Sequence, residues 1–223
     1  MLNQTNLLRT QSYVDGKWID AISGETVAVI NPANGEHIAD VPQMSRLDAE
    51  NAVEAATDAL KSWRSVPAKT RSQLLRRWFD LMMEHQEDLA KILTLEQGKP
   101  LSEARGEIAY GASYIEWYAE EAKRIYGDII PGPSSDKRIL VTKEPIGVCA
   151  AITPWNFPNA MITRKIAPAI AAGCTIVVRP ASQTPLSAFA IAELADRAGI
   201  PKGVLNIITG DAVEIGKVLT EDE

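Results

Sequence analysis

The sequence predicts an α/β protein whose C-terminal third is a doubly wound parallel sheet. From Pro145 onward, short apolar runs alternate with helix-length segments in strand–helix–strand–helix–strand–helix order, the pattern of parallel strands joined by crossover helices. Ahead of it lies a long stretch with apolar residues at helical spacing, and ahead of that a β-rich opening segment, residues 13–42. With 223 residues, 46% of them hydrophobic and 23% charged, disordered, collagen-like and coiled-coil classes are excluded. Area scaling gives roughly 10,000 Å² exposed when folded against roughly 35,000 Å² unfolded, so a self-contained unit of this size could bury a sizeable core.

In the opening segment, Asp15-Gly16-Lys17 sits between Tyr13-Val14 and Trp18-Ile19, a hairpin signal. Thr26 to Ile30 and Ile38 to Val41 flank Asn31-Pro32 and Asn34-Gly35, which mark a second turn. Ser45 with Asp48 resembles a capping box, and Ala49, Ala52, Val53, Ala56, Leu60 and Trp63 then share one helical face. Pro67 stops that helix. A second is expected from about Thr70 to Gly98-Lys99-Pro100, with Leu74, Leu75, Trp78, Leu81, Met82, Leu89, Ile92 and Leu93 inward, and a third from Ser102 to Ile125. Gly127 and Pro131-Gly132-Pro133 form a boundary, after which Lys137 to Thr142 reads as an isolated, exposed strand.

Ile146 to Ile152 runs apolar without alternation, as a strand buried on both faces does. Pro158 to Ala172 is a helix in which Pro168 should produce a bend or an early end. Cys174 to Val178 and Val204 to Ile208 are the next strands; a helix opens at Thr184-Pro185 and another spans Val213 to Leu219.

The formal charge of −6 argues against nucleic acid or an anionic membrane surface as principal partner. No apolar run approaches the ~18 residues of a membrane span, and the N-terminus lacks a signal-peptide layout. Cys149 and Cys174 form no C-x-x-C pair, which points to a reducing, cytoplasmic location. His37 and His85 lie far apart and leave a zinc site little to draw on.

Ligands of open parallel sheets bind at the carboxyl ends of the strands. Those ends are Thr153-Pro154-Trp155-Asn156-Phe157-Pro158, Arg179-Pro180-Ala181-Ser182 and Thr209-Gly210. No G-x-G-x-x-G follows the first strand, so the residues alone indicate an anionic or planar ligand near Trp155, Arg179 and Ser182. Taken alone, Asn156 reads as a cap for the following helix, Arg179 as a surface arginine, and Arg164 with Lys165 as solvated charges about 100° apart on a helix. Cys149 and Cys174 sit in apolar runs, where a thiol is inert.

Ile152-Thr153-Pro154-Trp155-Asn156-Phe157-Pro158, followed 21 residues after Pro158 by Arg179-Pro180-Ala181-Ser182, resembles the aldehyde dehydrogenase superfamily. Asn31-Pro32-Ala33 and Leu95-Glu96-Gln97-Gly98-Lys99-Pro100 extend the match over nearly the whole chain. Tyr126-Gly127-Asp128, Met161-Ile162-Thr163-Arg164-Lys165 and Ala171-Ala172-Gly173-Cys174-Thr175 are similar to the succinate- and glutarate-semialdehyde dehydrogenase branch.

The resemblance implies a partial aldehyde dehydrogenase fold. Residues 1–136 would be the N-terminal strands and helices of the cofactor domain, 137–144 an oligomerisation strand, and 145–223 an incomplete Rossmann-like NAD(P)-binding region without a catalytic domain. It implies homo-oligomers and oxidation of a semialdehyde to a dicarboxylic acid. Asn156 takes the oxyanion-hole role. Ile152, Thr153, Pro154 and Trp155 pass beneath the nicotinamide, Lys165 faces the cofactor, and Pro180, Ala181 and Gly210 complete its site. Arg179 stands where the family places lysine; with Ser182 it favours the 2′-phosphate of NADP over NAD, although its planar fork differs from an ammonium. Arg164 clamps the substrate's distal carboxylate.

The family's nucleophilic cysteine, general-base glutamate and G-S-T turn follow the third strand, and these 223 residues contain no counterpart. The chain alone is therefore expected to be inactive. The alternatives are a non-catalytic dinucleotide-binding module and an assembly fragment pairing through an open sheet edge. Glutarate semialdehyde or a general aldehyde are the alternative substrates.

Overall fold

The computed structural model describes Leu2 and residues 4–221. Strands β1 (Ser12–Val14) and β2 (Lys17–Ile19) form the expected hairpin. Its turn places Asp15 at φ 49° and Gly16 at φ 73°, the left-handed pair that a two-residue hairpin turn needs. Strands β3 (Thr26–Ile30) and β4 (His37–Pro42) pair separately. Helix α1 (Arg46–Trp63) starts at Ser45, whose N–H and hydroxyl both donate to Asp48 Oδ2, at 2.9 and 2.8 Å.

The single long helix expected after Pro67 is two helices, α2 (Ala68–Glu84) and α3 (Gln86–Gln97). His85, at φ −101° and ψ 15°, leaves helical geometry between them. The break lets α3 turn onto α4 (Leu101–Glu121) and onto the helix Leu186–Ala198, and its first turn carries Glu87 and Asp88, which suit a helix N-terminus.

Lys137 to Thr142 is not isolated. Strand β6 (Arg138–Val141) pairs antiparallel with β5 (Asp128–Pro131). All eight of their residues are exposed, so the hairpin projects without a core of its own.

The alternating C-terminal pattern is present as β7 (Val148–Ile152), α5 (Ala160–Ala172), β8 (Thr175–Arg179), α6 (Leu186–Ala198), β9 (Leu205–Ile207) and α7 (Ala212–Glu221). Pro168 does not end α5, which continues to Ala172 and stops at Gly173 (φ 90°). The proline withholds only the N–H that would meet the Arg164 carbonyl, in a helix whose packing on α4 and the sheet outweighs one lost bond. Strands β7, β8 and β9 are parallel, as expected, but the sheet has five strands in the order β2-β1-β9-β8-β7. The N-terminal hairpin adds to β9 antiparallel, through Tyr13 opposite Ile207. Every residue of β8 is buried. In contrast, β7 is not the doubly buried strand its composition suggests: Ala150 and Ile152 are exposed, because β8 is its sole partner among the described residues. The total exposed area, 10,854 Å², exceeds the scaling value, consistent with the bare β5–β6 hairpin and β7 edge.

Candidate functional site

The carboxyl ends of the three parallel strands are tied to one another. Ile152 lies in register with Arg179, and the Thr153 N–H donates to the Arg179 carbonyl at 3.1 Å. Arg179 Nη2 donates to the Gly210 carbonyl at 3.0 Å and to Ser182 Oγ at 2.7 Å. Arg179 is therefore not a surface arginine; it is 7% exposed and bridges β8, the loop after it and the end of β9. Burial lowers the proton affinity of its guanidinium, and the nearby Asp211 carboxylate opposes that. Gly210 has φ 144°, and a Cβ there would lie 2.1 Å from the Met44 carbonyl oxygen, so glycine alone fits.

Two buried polar atoms at these strand ends, Arg179 Nε and Thr153 Oγ1, have no hydrogen-bond partner among the described residues. Ile152, Pro154, Trp155, Asn156 and Ser182 are exposed beside them, while Pro180 and Ala181 are buried. An orphaned guanidinium donor, an exposed hydroxyl and an exposed apolar strand end fit a ligand with an anionic part and a planar part, as a dinucleotide has.

Asn156 does not cap the following helix. The cap position of α5 belongs to Asn159, and the helix N-terminus is served instead by a carboxylate from another helix. Glu107, on α4, accepts the N–H of Asn159 at 2.9 Å and that of Ala160 at 3.3 Å through Oε1. Its other oxygen pairs with Lys99 Nζ. Lys99 in turn donates to the Asn156 carbonyl at 3.1 Å and sits 3.8 Å from the Phe157 ring centroid. The Glu107 side chain is 1% exposed and that of Lys99 10%, so an ion pair shielded from water fixes the Asn156–Ala160 turn from below. Asn156 itself is exposed.

Arg164 and Lys165 part company on α5. Lys165 is exposed. Arg164 is half-buried, with its guanidinium over Tyr110 and Tyr114 and Nη2 donating to the Tyr110 hydroxyl at 3.0 Å. Asn156 lies in the turn that leads into α5 and Arg164 in that helix, and the Arg179–Ser182 pair lies across the strand ends. The supporting residues Lys99, Glu107, Tyr110 and Tyr114 escaped sequence reasoning. Lys99 fell within a quoted motif, yet nothing local announces that its partners lie 8 and 57 residues away.

Both cysteines are free, Cys149 half-buried and Cys174 buried. Burial, together with the adjacent Cys174 thiol, pushes the Cys149 thiol up to about 11, far from an activated nucleophile. Among the described residues no three His, Cys, Asp or Glu side chains gather as metal ligands, and no helix is long and apolar enough to cross a membrane.

The family model described as "Aldehyde dehydrogenase family" matches residues 18–223. The chain belongs to the aldehyde dehydrogenase family. It is 62% identical over 221 residues to a glutarate-semialdehyde dehydrogenase of Pseudomonas aeruginosa, covering 99% of this chain and 46% of that protein. It is 60% identical to the succinate-semialdehyde dehydrogenase [NADP(+)] GabD of Escherichia coli K12, again over 99% of this chain and 46% of the relative. Among solved structures, an E. coli NADP-dependent enzyme superposes with a TM-score of 0.98 at 60% identity, covering 100% of this chain and 46% of that one. This aldehyde dehydrogenase chain thus spans just under half the length of the relatives it matches, and its α/β architecture is that part of the family fold.

Proposed function

We propose that these residues form the cofactor- and substrate-recognising part of an enzyme that oxidises a short aldehyde bearing a distal carboxylate, succinate or glutarate semialdehyde, with NADP favoured over NAD. The observation that carries this reading is Arg164, a half-buried guanidinium on α5, the helix that follows the Asn156 turn. The names of the relatives, two semialdehyde dehydrogenases at 60–62% identity, support the substrate class, and one of those names carries NADP(+).

The dinucleotide, when bound, supplies the hydride acceptor. Arg179 and Ser182 would hold its adenosine ribose and 2′-phosphate, with the unspent Arg179 Nε as a further donor. Ile152, Thr153, Pro154 and Trp155 would line its nicotinamide end, with Lys165, Pro180, Ala181 and Gly210 completing the site. The Asn156 amide would donate to the carbonyl oxygen as it becomes negative, a contact worth ~3 kcal/mol in acyl-transfer oxyanion holes. The exposed β5–β6 hairpin, with Ile129 and Leu140 outermost, supports assembly of homo-oligomers through it, and two free thiols suit a reducing cytoplasm.

The test is Arg164→Ala in the whole enzyme that carries these residues. The KM for a carboxylated semialdehyde should rise at least about tenfold, as for loss of a charge-assisted pair, with a much smaller change for an uncharged aldehyde of equal length. Equal changes for both would favour a general aldehyde dehydrogenase.

A second reading concerns residues 1–223 by themselves: a dinucleotide-binding module without turnover. The raised Cys149 thiol and the burial of Cys174 favour it, since an aldehyde needs an accessible thiolate or comparable nucleophile. Purified alone, the chain should form no NAD(P)H from semialdehyde while gaining thermal stability from millimolar NADP. Turnover would refute the first expectation, and an unchanged melting temperature the second.

A further inference from the structure

Arg164 is held by a device of two tyrosines. Tyr110 and Tyr114 stand one helical turn apart on α4, their ring centroids 5.1 Å apart in an edge-to-face arrangement. Their hydroxyl oxygens are 2.5 Å apart. The Arg164 guanidinium carbon lies 5.0 Å from the Tyr114 ring centroid and 5.5 Å from that of Tyr110. Cation–π contact with two rings restricts a guanidinium that an isolated long side chain leaves free to rotate.

Tyr110 Oη accepts from Arg164 Nη2 at 3.0 Å, and the two phenols share one hydrogen bond between them. Two O–H groups enter that pair and one is consumed, so whichever tyrosine donates, one phenolic proton stays unspent beside the guanidinium. The hydrogen bond shared with Tyr110 also raises the Tyr114 phenol above its ordinary value, so Tyr114 keeps its proton. Tyr110 is 46% exposed, so the cluster is open to a ligand. Arg164 Nε donates to the Ala160 carbonyl at 3.3 Å and Nη2 to the Tyr110 hydroxyl, so neither bond uses Nη1.

We infer that Tyr110 and Tyr114 are specificity-determining positioning residues: they orient Arg164 and add a phenolic donor, so that the three side chains together recognise the planar distal carboxylate of the substrate. This rests on the assignment of Arg164 as the carboxylate clamp. The geometry favours a carboxylate whose two oxygens meet Nη1 and the spare phenol, and it offers an uncharged chain end no comparable partner.

The experiment compares Tyr110→Phe, Tyr114→Phe and Arg164→Ala in the whole enzyme, with succinate semialdehyde and butanal as substrates and glutarate as a competitive inhibitor. Tyr110→Phe should lower the succinate-semialdehyde to butanal ratio of kcat/KM about tenfold, the value of one charge-assisted hydrogen bond. The loss should fall in KM, and the inhibition constant of glutarate should rise in parallel. Tyr114→Phe should act in the same direction more weakly, about threefold, because it contacts Arg164 through its ring and reaches the anion through Tyr110. If Arg164→Ala removes the preference while Tyr110→Phe leaves both the ratio and glutarate inhibition within twofold, the tyrosine device is refuted and the clamp survives. If Arg164→Ala itself leaves the preference intact, the clamp fails and the inference with it. A Tyr110→Phe effect confined to kcat, equal for both aldehydes, also overturns it, since that marks a structural role only.

Discussion

Replacing Glu107 with alanine is expected to destabilise the folded chain by about 3–5 kcal/mol, the range for breaking a buried ion pair from one side. The variant strands the Lys99 ammonium, 10% exposed in the intact pair, with only the Asn156 carbonyl and the Phe157 ring as partners. It also removes the acceptor of the Asn159 and Ala160 N–H groups, so two donors at the start of α5 lose their satisfaction. The double variant Lys99→Met/Glu107→Leu should cost clearly less than the sum of Lys99→Met and Glu107→Leu, because no unpaired charge then remains. Urea unfolding of the four proteins checks this. Additive effects, or sensitivity of the Glu107→Ala penalty to ~0.5 M salt comparable to an exposed pair, would refute the shielded pairing. In the whole enzyme Glu107→Ala should also depress kcat, because the Asn156–Ala160 turn loses its fixed lower face.

The contrast between Asn156 and Glu107 explains how much of this molecule its sequence announces. Three parallel strands could be placed because continuous apolar runs ended by Thr-Pro, Arg-Pro and Thr-Gly are local signals, and the candidate site residues were read off their ends. The antiparallel joining of β1 to β9 could not, since it pairs Tyr13 with Ile207 across almost the whole chain. The break at His85 was invisible for another reason. Histidine is no helix breaker, and the apolar stripe continues through it; the turn is set by α3 packing onto α4 and α6. Likewise, Glu107, Tyr110 and Tyr114 read as ordinary helix positions by period alone. Their contacts arise because α4 runs beside α5, placing them against Asn156–Ala160 and Arg164. Motif spacing captures groups that meet a ligand through local backbone. The groups that hold them in place come from other elements, and tertiary packing alone brings them in.

The largest pH effect is expected from a second buried carboxyl at a helix start. Glu96, at the end of α3, is fully buried and accepts the first two N–H groups of α6, Leu186 at 2.6 Å and Ser187 at 2.8 Å. Those donors and the helix N-terminus favour a carboxylate, but removal from water opposes charge more strongly and the Glu107 carboxylate adds to it, so the Glu96 carboxyl is pushed up from 4.5 to about 8. Between these values the folded chain binds a proton that the unfolded chain releases. Stability therefore falls as pH rises: the contribution is complete below pH ~4.5 and is lost through pH ~8, up to about 5 kcal/mol in all. The direction is opposite to that of the usual salt-bridged carboxylate, whose depressed pKa makes stability fall with acid. Glu96→Gln cannot ionise and still offers one carbonyl to α6. It should be less stable than the parent near pH 5, where one acceptor is missing, and should match or exceed it near pH 9. Melting temperatures of the two proteins across that range should converge and cross; parallel profiles would show that Glu96 ionises normally in the folded state. Because α6 begins where the Arg179–Ser182 loop ends, charging Glu96 should also loosen that loop, and a matching loss of NADP-induced stabilisation above pH 8 in the parent, absent in Glu96→Gln, would tie the buried carboxyl to the strand-end site.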